Sequence, residues 1–219
     1  MTVSNQDAAR LETRAKVCRL ALWAFIAVAV LTLVLLLGVM ARQMQLGDPP
    51  LVVLSFYALG ELLVYLTLFL ATIPIGLWVY RAHANLHEGA VAGLNYSPGW
   101  AVGSFFVPVV NLLVPMKAMR ELHNRSMGEP EDFAASSVGN VTSWWACHLA
   151  AVLLAVVVSI ISLVPLVSNV YWTTPPAATS GLGVLTLLFW VGSAAYLLQV
   201  INAVTAAQAH GVSSAAVFE

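Results

Sequence analysis

Residues 96–126 read YSPGWAVGSFFVPVVNLLVPMKAMRELHNRS, and the path of this stretch decides the fold. Trp100 to Met116 is apolar enough to enter a bilayer, yet at about 17 residues it sits at the lower limit for a spanning helix. Pro108 and Pro115 remove backbone donors, with Asn111 between them. Lys117, Arg120 and Arg125 follow at once. If this piece crosses, those three cations lie on the far side of the membrane. If it dips in and returns, or lies along the surface, they stay on the near side.

The rest of the chain frames that choice. Of 219 residues, 60% are hydrophobic and 9% charged, against about 25% charged in soluble domains. One integral membrane domain accounts for this. A net charge of −1 gives no basic field for nucleic acid. Cys18 and Cys147 are too few for a disulfide framework and read as free thiols.

Residues 1–19 are polar and carry Arg10, Arg14, Lys16 and Arg19. Leu11, Ala15 and Cys18 are spaced for a short helix at headgroup level, and a frayed, snorkelling tail is the other reading. The apolar run at about 20–41 is too long for a signal-peptide core and is taken as a retained anchor. Further spans are expected at about 51–80, 143–167 and 181–207, with a C-terminal tail over 208–219. The second is overlong and has a kink point at Pro74 and Gly76. Gly47 to Pro50 is a breaker, residues 129–133 an acidic linker, and 168–180 an uncharged connection holding Tyr171 and Trp172. In the third span Cys147, Ala151, Ala155 and Ser159 form a small-residue stripe on which another helix is expected to pack.

Cationic loops favour the cytoplasm. With 99–125 re-entrant or interfacial, every Lys and Arg except Arg42 lies on one side with both termini. With a crossing segment, Lys117, Arg120 and Arg125 move outside. The expected fold is therefore an all-α integral membrane protein. It has four transmembrane helices and a Pro-broken re-entrant or interfacial half-helix on the cytoplasmic side. Within that half-helix, Met116, Met119 and Leu122 or His123 share one side, and Lys117, Glu121 and Arg125 the other, which predicts a helix lying in the interface.

Trp78-Val79-Tyr80-Arg81-Ala82 with Asn85, Ser97-Pro98-Gly99-Trp100-Ala101-Val102-Gly103, Phe106-Val107-Pro108-Val109-Val110-Asn111-Leu112, Pro115 and Arg120-Glu121-Leu122 together resemble a bacterial multi-pass membrane family. It is catalogued as domain of unknown function 4328. The match is specific from Trp78 to Ser126. Ser104 and Phe105 stand where that family usually has bulkier aromatics, and His123 where it often has Trp. The resemblance implies several membrane helices with the signature on one face, in a bacterial cytoplasmic membrane, and no activity.

Several residues are candidates for a site. Arg81, Asn85, Trp100, Asn111 and Glu121 can form one constellation that binds a lipid or other anionic ligand. Alternatively Arg81 snorkels or bonds the carbonyls freed by the prolines. Glu61 lies about 13 Å of helix rise into the second span, with Tyr65 four residues on. It reads as an intramembrane ionisable site or as a carboxyl bonded to a neighbouring helix. Gln199 and Asn202 read as interhelical glue. His83 and His87 at i,i+4, with His123, are weak metal candidates lacking further ligands, and His148 lacks an intramembrane partner for haem. No cofactor is assigned, and no catalytic motif is present.

The function expected from sequence is a non-catalytic structural or accessory protein, binding lipid or a partner through the half-helix. A small oligomeric transporter or channel using Glu61 is the alternative, and a metal or haem accessory protein the second. The expected partners are the bilayer and a second copy or a membrane complex.

Overall fold

The computed structural model describes residues 5–47, 50–130, 138–170 and 174–216, and the side chains among them except 166, 176 and 210–216. Among these residues the chain is helical with no strand. In order, α1 is Asn5–Leu46, α2 Leu51–Glu88, α3 Pro98–Gly103, α4 Val114–Ser126, α5 Gly139–Val167 and α6 Pro176–Ala216. Two 3-10 turns, Ser104–Phe106 and Val110–Leu112, join α3 to α4. α1, α2, α5 and α6 are long and apolar enough to cross a membrane. The protein is an all-α membrane protein.

α1 continues unbroken through the polar residues expected to lie apart from it. Its buried positions are Leu11, Ala15, Cys18, Leu22, Phe25, Ala29, Thr32, Leu36 and Val39, alternating by four and three residues. That is the seam of a coiled-coil-like packing. Leu11, Ala15 and Cys18 therefore face protein rather than headgroups, because they continue the same seam. α6 likewise runs past 207, and Gln208 is buried where a tail was expected.

The long helices pack in the order α2–α1–α6–α5. Contacts are tight where side chains are absent. A Cβ on Gly60 would lie 2.7 Å from Thr32 Oγ1 of α1, and one on Gly192 would lie 3.4 Å from Cys147 Sγ of α5. Without a hydrophobic drive between helices in lipid, this close approach supplies the dispersion that holds them. The small-residue stripe of α5 divides accordingly. Cys147 meets α6, whereas Ala155 and Ser159 line a cleft on the side facing α2. α2 and α5, the outer members of the row, leave that cleft between them. Both cysteines are free, and Cys18 Sγ donates to the Pro74 carbonyl at 3.0 Å.

Polar contacts collect at one end of the bundle. Arg14 Nη1 donates to the Leu77 carbonyl at 2.8 Å and Arg19 Nη1 to Asn202 Oδ1 at 3.2 Å. Arg81 pairs with both Asp7 and Glu88. The start of α1 and the ends of α2 and α6 therefore meet there. The α3–α4 stretch leaves and rejoins the bundle at this same end. Trp145 Nε1 of α5 donates to the Leu112 carbonyl at 2.9 Å, and Gln208 Nε2 of α6 to Ser126 Oγ at 2.9 Å. The chain reverses at Val109, which has φ 67° and sits inside a γ-turn closed by a 2.8 Å bond from Val110 N–H to the Pro108 carbonyl. A β-branched residue there is strained.

α4 is not the half-solvated interfacial helix its pattern predicts. Glu121, placed by periodicity on the polar side, is fully buried, along with His123 and Asn124. Its carboxylate accepts the backbone N–H groups of Asn95 (2.7 Å) and Tyr96 (3.2 Å). Those donors arrive from the loop between α2 and α3, so periodicity within α4 cannot report them. The expected connection around 171–173 and most of the acidic linker lie outside the described residues.

Candidate functional site: a cavity roofed by the broken segment

Toward the polar end, a second cavity of about 530 Å³ shares Leu68 and Trp190 with the cleft between α2 and α5. α1 contributes Leu22 and Phe25, α2 residues from Leu68 to Tyr80, α5 Trp144 and His148, and α6 residues from Trp190 to Leu197. Val102, Phe105 and Phe106 of the broken segment form its roof. Ala101 is buried while Phe106 remains 77% exposed, so the roof is anchored on one side and open on the other. Ser97 caps α3 by accepting the Trp100 N–H at 3.3 Å, with Pro98 at the first helical position. These short-range signals aim Val102 and the phenylalanines at the bundle.

The walls are aromatic. Phe105 packs edge-on to Trp145, with centroids 6.2 Å apart. His148 stacks on Trp145 at 5.0 Å and meets Trp190 edge-on at 5.4 Å. Among the described residues, no acidic, lysine or arginine side chain lines the cavity. Exposed Ile73, Leu77, Tyr80 and Phe106 lie along its rim. They belong to, or adjoin, a stretch apolar enough for a bilayer, so the opening faces where lipid chains would be. A volume in this range, apolar walls and a few polar groups are the marks of a small-molecule site.

The five residues expected to form one constellation are held by other partners. No hydrogen bond or ion pair among the described residues joins any two of them. Arg81 is not available as an anion receptor, since Asp7 and Glu88 flank it with two carboxylates. Asn85 is buried and donates to Gln208 Oε1 at 2.9 Å, leaving its Oδ1 without a partner. Glu121 pins the loop before α3. Trp100 is half exposed on α3, and Asn111 sits in the second 3-10 turn.

Glu61 is bonded by Tyr57, one turn earlier, and not by Tyr65. Tyr65, 47% exposed, lines the same small cavity as Glu61 and the cleft facing α5. The cavity that Glu61 lines holds about 20 Å³, room for one water. Asn202 bonds Arg19 of α1, and Gln199 is exposed. His83 is buried and His87 exposed. Each directs Nδ1 to the carbonyl one turn earlier, while His123 Nδ1 faces Asn124. No group of three His, Cys, Asp or Glu suited to a metal occurs among the described residues.

Sequence reasoning missed Gln208, which joins Asn85, the Ala82 carbonyl and Ser126. Trp78, which opens the family motif, is buried, and its Nε1 donates to Thr205 Oγ1 at 3.1 Å, a partner the sequence did not indicate. Gln208 lay just past the expected end of the last span. Its place directly after Ala206 and Ala207, at the end of that apolar span, was the available signal.

Neither a curated protein nor a solved structure matches the chain. The family model described as Domain of unknown function (DUF4328) matches residues 54–208, from early α2 through Gln208, and so takes in the broken segment and all but the α1 wall of the cavity. The chain belongs to the DUF4328 family.

Proposed function

We propose that the protein is a non-catalytic accessory protein of a bacterial cytoplasmic membrane, with both termini cytoplasmic, that holds a lipid hydrocarbon chain beneath its half-helix. The observation that carries this reading is the apolar cavity of about 530 Å³, open through Ile73, Leu77, Tyr80 and Phe106. A polar or charged ligand would lose hydration against walls without charge, whereas a lipid chain loses nothing by moving from bilayer to cavity and gains close packing. The orientation rests on the distribution of Lys and Arg, all but Arg42 falling on the side of the polar bundle end. The half-helix re-enters the membrane far enough for its exposed Phe106 and Val109 to meet lipid.

The test is lipid retention. Wild-type protein purified through mild detergent is expected to carry a stoichiometric lipid in native mass spectrometry. Val102→Trp, which fills the roof, is expected to lose it without loss of helical circular dichroism. Equal retention by both proteins overturns the reading.

A further inference from the structure

Within the cavity, polar groups are few and have no protein partners. His148 and Ser193 both line it, and neither makes a hydrogen bond among the described residues. Trp190, 5% exposed, forms part of the same wall, but its unpartnered Nε1 is closed off from the cavity space. By contrast, Thr72 at the rim bonds the Phe69 carbonyl of its own helix. Buried polar groups without partners are costly, and in a binding cavity they mark where a ligand supplies the missing bonds.

The chemistry of that ligand is constrained. A phosphate or carboxylate head needs a cation, and the lining has none. The head is therefore uncharged and hydrogen-bonding, and His148 and Ser193 can donate to it. Trp144, Trp190, Phe25 and Phe105 surround it with aromatic faces and edges that suit a flat conjugated ring. The geometry points to a quinone-class amphiphile, its ring carbonyl bonded at His148 and Ser193 and its hydrocarbon tail leaving past Phe106 into the bilayer. This assignment rests on the lipid-cavity reading and adds the head group to it. It concerns binding alone.

Full-length protein in nanodiscs can be titrated with decylubiquinone, with dioctanoylglycerol (an uncharged ester head) and with decanol (a chain nearly without a head). Tryptophan fluorescence and thermal stability are the readouts. Decylubiquinone is expected to saturate both signals and to bind at least about tenfold tighter than the other two, as one or two directed hydrogen bonds require. His148→Phe keeps the ring stack but removes the donor, and is expected to weaken quinone binding about tenfold while leaving decanol unchanged. Ser193→Ala is the milder second variant, should the first fail to fold. Equal or tighter binding of dioctanoylglycerol overturns the quinone head. Equal binding of all three probes, insensitive to His148 and Ser193, overturns the head-group inference and leaves the chain-binding cavity standing. Absence of any saturable binding, with no retained lipid in wild type, removes both.

Discussion

Gln208 shows how much one side chain holds in this fold. Its amide donates to the Ala82 carbonyl and Ser126 Oγ and accepts from Asn85, so α2, α4 and α6 meet on one group. Removing it strands Asn85, whose other polar atom is already unpaired. Gln208→Ala is expected to lower stability by about 1–3 kcal/mol, whereas Gln199→Ala, at an exposed position, should stay within about 0.5 kcal/mol. Denaturant-mixed micelle titrations followed by circular dichroism would measure both, and equal losses would contradict the network. Glu121 acts in the same way on the loop before α3. Glu121→Ala leaves the N–H groups of Asn95 and Tyr96 short of an acceptor and should cost about 2 kcal/mol. Glu121→Gln, which keeps a carbonyl oxygen, should recover part of that in the same titration.

Among the elements, α1 and α2 depend on contact without side chains. Thr32 is buried against Gly60, where even a methyl group would come within 2.7 Å of Oγ1. Gly60→Leu is expected to separate the two helices and lower the thermal midpoint in detergent by several degrees, through overpacking that typically costs about 1–3 kcal/mol. Gly99→Leu, on α3 where nothing lies within 4 Å, is the control and should leave the midpoint unchanged. The α1 seam itself was half legible. Leu11, Ala15 and Cys18 were spaced as a helix face, but a polar segment ahead of an apolar run gives no sign of whether that face meets lipid headgroups or another helix.

For the whole molecule, the decisive fact is that the broken segment starts and finishes at one end of the bundle. Lys117 should thus share a side with the start of α1. In a background where Cys18 and Cys147 are replaced by alanine, Arg10→Cys and Lys117→Cys are expected to react with an impermeant maleimide from the cytoplasmic side, and Arg42→Cys from the other. Opposite labelling of Arg10→Cys and Lys117→Cys would dismantle the topology. The long helices form the row α2–α1–α6–α5. Its ends do not close on each other, and the α3–α4 stretch covers only part of the opening.

The sequence by itself determined the membrane class, the four long apolar helices and the free cysteines, because hydropathy, length and cysteine count are local quantities summed along the chain. The Trp78–Ser126 motifs also carried the family. Only the tertiary structure decided which polar residues face one another. Arg81 looked open until Asp7 arrived from the far end of the chain, and Glu121 looked solvated until the Asn95 and Tyr96 amides met it. His148 offered only a haem ligand without a partner until Trp145 and Trp190 set it in the wall of a cavity. A side chain's partners across the bundle come from other helices, and no periodicity within its own helix encodes them.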